Sequence, residues 1–171
     1  MPSGIDHPAA WPPDVLLKRC EVRRLKRGGP GGQHRNKVET AVIIFDPQSG
    51  LSGEASERRS QEANRQVALF RLRVTLALEP VAQFDPAHLP SDLWKSRLRG
   101  EKLSINSEHA DFPAMLAEAV TALHHSGWDV AAAASVLECS TSQLVKFLKN
   151  EPRALRALNN HRRDQGLRPL K

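Results

Sequence analysis

The chain has 171 residues, of which 40% are apolar, 26% charged and only 5% aromatic with no tyrosine, and its formal net charge is +6. That apolar share is enough to build one domain or two small ones, while the scarcity of aromatics argues against base stacking as the main mode of contact with a nucleic acid. The positive balance favours an acidic partner, no run approaches the roughly 18 uninterrupted apolar residues of a membrane span, and the first residues lack the order of a signal peptide.

Residues 1–14 contain four prolines and no periodicity, and read as a flexible N-terminal arm. Val15 to Leu25 mixes apolar and basic residues and suits a short helix or a strand. Then comes Gly28-Gly29-Pro30-Gly31-Gly32-Gln33 inside a collar of cations: Lys18, Arg19, Arg23, Arg24, Lys26, Arg27, Arg35 and Lys37, opposed over residues 18–37 by Glu21 alone. Glycine permits positive φ and puts no Cβ between the backbone and a neighbouring molecule. Cations around such a loop point to a polyanion, most simply nucleic acid.

Thr40–Phe45 is β-branched and aromatic and predicts a strand closed by the turn residues Asp46–Gly50; Leu51–Ser56 predicts a weaker one, interrupted by Gly53. From Arg59 to about Leu78 the spacing predicts a helix. Ala63, Val67, Phe70 and Val74 recur at three- and four-residue intervals, Leu69, Leu72 and Leu76 widen the stripe, and Arg65, Arg71 and Arg73 mark the opposite face. The fold class is α+β: over residues 15–79 a small domain of short β-sheet, long helix and protruding glycine-rich loop, followed by an all-helical C-terminal region. Residues 80–111, with Pro80, Pro86 and Pro90, read as a linker with a short amphipathic piece near Leu93–Leu98.

Residues 112–171 read as helical. Pro113 suits a helix start and Gly127 its stop. A second helix runs through Val130–Leu137, a third from about Thr141 to Lys149, and a basic segment closes the chain. His124-His125 read as a helix C-terminus, and Cys139 as packing. Cys20 and Cys139 are far apart and lack metal-ligand spacing, so the expectation is a reducing cytoplasmic compartment with no metal.

Gln33 offers a backbone N–H and a side-chain amide beside conformationally free glycines. Such donors stabilise developing negative charge, and removing one typically costs ~2.7–4 kcal/mol. An amide is no general base, so the loop fits an active site supplied largely by its partner. Gly29-Pro30-Gly31-Gly32-Gln33-His34-Arg35-Asn36-Lys37 resembles the signature of class I peptide chain release factors and their rescue relatives. Thr40-Ala41-Val42 stands where that family has its Ser/Thr-Ala-Val strand, and Gly50 marks the following turn. Arg59-Ser60-Gln61-Glu62-Ala63-Asn64-Arg65 is similar to its Arg-Ser-Gln-x-x-Asn-Lys helix start, so that the match covers about residues 22–78.

The resemblance implies a loop that enters the peptidyl-transferase centre and promotes hydrolysis of the ester between nascent chain and tRNA. Gln33 would be the catalytic residue, its backbone N–H stabilising the transition state and its side chain shaping the pocket that admits water; Gly31 and Gly32 would permit the conformation. Lys26, Arg27, Arg35, Lys37, Arg58 and Arg59 would neutralise RNA phosphates, contacts that position without reading sequence. The implied partners are large-subunit rRNA and peptidyl-tRNA, engaged by a monomer with no cofactor and no membrane. Ser60, Gln61 and Asn64 read as helix capping and surface hydrogen bonding, Ser being a favoured N-cap, and stand outside the catalytic set.

Two departures bear on this. Gly28 replaces the family's usual Ser. The loop begins at residue 28, whereas full release factors carry a stop-codon-reading region before it, so the expectation is a codon-independent rescue hydrolase. The rescue relatives usually end in a basic tail, where this sequence has helices and a shorter basic segment. The rival reading is a non-catalytic ribosome- or nucleic-acid-binding protein. Ala133–Leu148 resembles a helix-turn-helix pattern, with Thr141-Ser142-Gln143 opening the second helix and Glu138 at the turn position where Gly is common. A plain helical bundle, or an added rRNA contact through Lys146, Lys149 and the basic tail, accounts for the same residues.

Overall fold

Pro13 begins the first helix, because its fixed φ and missing N–H suit the first turn. The computed structural model describes residues 6–25, 40–80, 86–100 and 102–171, which divide into two compact units, Trp11–Leu76 and the described residues of 1–10 with Ala77–Lys171. In the first unit, helix α1 (Pro13–Arg19) has Asp14 in its first turn and Lys18 and Arg19 in its last, the order the helix dipole favours. Cys20 is already extended and passes the chain into strand β1 (Glu21–Leu25). Both alternatives for the segment before the glycine run therefore occur, one after the other.

Strands β2 (Ala41–Asp46) and β3 (Leu51–Ala55) complete an antiparallel sheet in the order β1-β2-β3. Leu25 pairs with Ala41 at one end of the β1–β2 ladder and Glu21 with Phe45 at the other; Val42 faces Ala55 and Asp46 faces Leu51 across the second ladder. The β2–β3 turn closes through Gly50, at φ +72, whose N–H donates to the Asp46 carbonyl at 2.9 Å. Burial disfavours the charged Asp46 carboxylate, but hydrogen bonds from Ser49 (2.7 Å) and Arg19 (2.5 Å) outweigh it and hold the carboxyl below its usual value.

Helix α2 (Gln61–Leu76) packs on β2 and β3; Ala68, Leu69, Leu72, Val74 and Leu76 of the helix and Val42 and Ile44 of β2 are buried. Arg73, expected on the outer face, is buried. Every residue of β1 stays exposed. Gly53 explains how a strand with a weak sequence signal holds its place: a Cβ there would overlap the Ala68 carbonyl oxygen and the Leu72 nitrogen.

In the second unit, residues 6–10, expected as part of an arm, form a packed 3-10 turn at Pro8–Ala10. Ala9 is fully buried, the Ala9 N–H donates to His7 Nδ1 (3.0 Å), and His7 Nε2 in turn donates to the Glu79 carbonyl (2.8 Å). The stretch expected as a linker contributes helix α3 (Asp92–Ser96) and the short strands β4 (Leu98–Arg99) and β5 (Lys102–Leu103). Its Trp94 is fully buried, donates Nε1–H to the Leu137 carbonyl at 2.9 Å and meets Phe147 edge-on with ring centroids 5.5 Å apart.

Helix α4 (Phe112–His125) is buried along Phe112–Leu123 and forms the axis of this unit. Helices α5 (Val130–Val136), α6 (Thr141–Leu148) and α7 (Pro152–Asp164) follow, α5 packing on α4, α6 on α5 and α7 on α6. Glu118 on α4 accepts from the Ser91 N–H (2.7 Å) and hydroxyl (2.6 Å), and burial pushes its carboxyl up. His124-His125 do end a helix, and Cys139 is half-buried. Among the described residues no helix is long and apolar enough to cross a membrane.

Gly53→Ala is expected to lower the stability of the sheet unit by about 3 kcal/mol or more, because the clash is with helix backbone that cannot step aside. Urea unfolding followed by circular dichroism measures it.

Candidate functional site

The glycine run and its immediate cations, Lys26, Arg27, Gly31, Gly32, Gln33, Arg35 and Lys37, lie outside the described residues. What the structure defines is the platform at either end of that segment. The chain leaves β1 at Leu25 and enters β2 at Ala41, and these two residues are register partners. The two ends of residues 26–40 therefore stand side by side at one end of the sheet.

A buried asparagine fixes that end. Asn64, on the first turns of α2, has no exposed surface. Its Nδ2 donates to the Thr40 carbonyl at 2.6 Å and to the Arg58 carbonyl at 2.9 Å, and its Oδ1 accepts from the Arg58 N–H at 2.9 Å. One side chain thus ties the point where the chain enters β2 to the turn at residues 57–60. The expectation of surface hydrogen bonding is corrected for Asn64; Ser60, by contrast, caps the helix as expected, accepting from the Ala63 N–H at 3.3 Å. In sequence Asn64 shares a face with Ala68 and Leu72 at four-residue spacing, but nothing local marks the Thr40 carbonyl that satisfies it.

The cations of the platform separate into two groups. Arg19 is committed to the fold: its guanidinium reaches Asp46 (2.5 Å) and Gln48 (2.8 Å) and lies over the Trp11 ring, 4.8 Å from its centroid. Arg23 pairs with Glu21 at 2.7 Å and covers Phe45. Arg71 bridges Glu57 (2.5 Å) and the Glu54 carbonyl (2.6 Å), and its hydrogen bond lowers the Glu57 carboxyl to about 2. Lys18, Arg24, Arg58 and Arg59 are exposed. Of the six cations expected to meet phosphate, the described two, Arg58 and Arg59, lie on the turn that Asn64 joins to Thr40, with the Arg58 backbone held and its side chain outward.

The family model for the RF-1 domain matches residues 14–102, which takes in the whole platform and the glycine run between its strands. The chain belongs to the class I peptide chain release factor family. Among its relatives, a peptide chain release factor homolog of Escherichia coli is 42% identical over 67 residues, covering 39% of this chain and 32% of that protein. Peptide chain release factor 1 of Caldicellulosiruptor saccharolyticus is 43% identical over 63 residues, 37% of this chain and 18% of the relative. Peptide chain release factor 1 of Chlorobaculum tepidum is 28% identical over 151 residues, 87% of this chain and 41% of the relative. The chain thus spans less than half the length of each of these release factors. No solved structure matches it.

Within this release-factor unit, Asn64→Ala is expected to cost about 2–3 kcal/mol, since it strands the Thr40 carbonyl and both Arg58 backbone groups away from water. Asn64→Asp should cost at least as much, a carboxylate oxygen then facing two carbonyl oxygens. Urea unfolding reads the loss, and faster amide exchange at Arg58 locates it.

Proposed function

We propose that the protein is a ribosome-dependent, codon-independent peptidyl-tRNA hydrolase that frees nascent chains from stalled ribosomes in the cytoplasm. The observation that carries this reading is the sequence Gly31-Gly32-Gln33 in the segment between the paired residues Leu25 and Ala41, within a chain of the release-factor family. In this reading the Gln33 N–H donates to the oxyanion that forms as water attacks the ester carbonyl, and the ribosome and tRNA supply the positioning. Well-oriented reactions draw ~7–11 kcal/mol from such positioning, which suits a loop with no general base of its own.

Lys26, Arg27, Arg35, Lys37, Arg58 and Arg59 are assigned to rRNA or tRNA phosphates around the loop. Arg58 and Arg59 suit that role because they project from a turn whose backbone is already fixed, so little order is lost when they engage.

The test is release of labelled peptide from ribosomes stalled on mRNA that lacks a stop codon. The parent is expected to release. Gln33→Pro, which removes the N–H itself, should slow release about 10²–10³-fold, and Gln33→Ala, which keeps the N–H but empties the pocket, at least about tenfold. Release by either variant at the parental rate overturns the assignment. Ribosome binding without release by the parent favours the anchor reading, in which the loop grips RNA and performs no chemistry.

A further inference from the structure

The helices beyond the RF-1 domain match present a surface that the hydrolase reading does not use. Between α5 and α6 the chain turns through Glu138, which sits at φ +53 although it is not glycine. The Cys139 N–H closes the turn on the Ala134 carbonyl at 3.0 Å, and Ser140 caps α6 by accepting from the Gln143 N–H at 3.3 Å. Ala133, Ala134, Leu137, Leu144 and Phe147 are all buried. That combination, a left-handed residue in the turn with this inward spacing, is the build of a helix-turn-helix pair, a scaffold that sets its second helix outward against nucleic acid.

The outward face carries the matching chemistry. On α6 and its C-cap, Ser142, Lys146 and Lys149 follow one another at four- and three-residue spacing and are all exposed. On α7, Arg153, Arg156, Asn160 and Arg163 do the same, opposite the buried Ala154 and Leu158. Trp128 holds α7 to the α4–α5 turn by stacking on His161, with ring centroids 4.2 Å apart and planes 13° from parallel. The side chains of Lys146, Lys149, Arg156 and Arg163 have no hydrogen-bond or ion-pair partner among the described residues. The acids of residues 141–171 are Glu151, already bonded to Arg153 at 2.7 Å, and Asp164. Like charges held on an ordered surface repel one another unless a polyanion neutralises them.

We propose that the α6–α7 face binds the phosphate backbone of double-helical RNA without reading its sequence. Lysines act as point charges toward phosphate, arginines fork onto it, and A-form RNA closes its major groove to side chains and leaves phosphates and 2′-hydroxyls as the accessible partners. The choice of RNA over DNA rests on the ribosomal reading above; the surface itself rests on the helix pair and its unpaired cations.

The test uses the full chain, a labelled RNA hairpin with a stem of ~16 base pairs, and a DNA hairpin of the same sequence. The charge-reversed protein K146E/K149E/R156E/R163E is compared with the parent over a salt series. The parent should bind RNA more tightly than DNA, and the variant should bind RNA at least about tenfold more weakly at ~0.1 M salt. The slope of log affinity against log salt should fall by about one for each cation that meets a phosphate. A milder set with Gln at the same four positions must weaken binding in the same direction, and unchanged circular dichroism melts establish that both variants fold. An RNA affinity within twofold of the parent's overturns the proposal, as does equal or tighter binding of DNA. Because the hairpin assay involves no peptide release, parental release with unaltered hairpin binding by the variant overturns only this surface. A failure of release with intact hairpin binding overturns only the hydrolase reading.

Discussion

At Gly53 the backbone of β3 approaches α2 so closely that no side chain fits between them. This contact sets the distance between helix and sheet, and the platform follows from it. With α2 pressed onto β2 and β3, Asn64 lies under the sheet end and reaches the Thr40 and Arg58 carbonyls together. A polar side chain is sustained there without any exposed surface because both ends of its amide are bonded. The fold thus couples the start of β2 to the distant turn at 57–60 and the helix that follows it, at the place where the segment between β1 and β2 ends.

The second constraint is electrostatic. The cations of this unit read alike in sequence, yet among the described residues the structure divides them by partner. Arg19, Arg23 and Arg71 are held by carboxylates, and Arg19 also by the Trp11 ring; they order the sheet and its turns. Lys18, Arg24, Arg58 and Arg59 are left outward. Exposed ion pairs contribute little each, but the buried Asp46, bonded by both Ser49 and Arg19, closes the β2–β3 turn. The hydrogen bond from Arg71 similarly keeps Glu57 ionised well into acid conditions.

The helical unit depends on one large side chain in the same way. Trp94 joins α3 to the carbonyl end of α5 and to Phe147 of α6, so residues that read as a proline-rich linker supply the centre of the core. Glu118 then secures α3 from the opposite side through Ser91. With the inward positions of α5, α6 and α7 filled by alanine, valine, leucine and phenylalanine, the remaining positions are outward by default, and there the basic residues collect.

The sequence by itself determined the motif-bearing loop and its family resemblance, the β2 strand, the α2 helix and the helices from Phe112 onward. Those features are local: β-branched runs, 3.6-residue periodicity, capping serines and glycine punctuation act within a few residues of where they are written. The packed turn at Pro8–Ala10, the role of Trp94, the burial of Arg73 and the clamp made by Asn64 were decided only by tertiary structure. Three of these depend on a partner far along the chain: Glu79 for His7, Leu137 for Trp94, Thr40 for Asn64. A polar residue at helical spacing reads as surface until the carbonyl that satisfies it is brought opposite, and only the approach of α2 to the sheet does that.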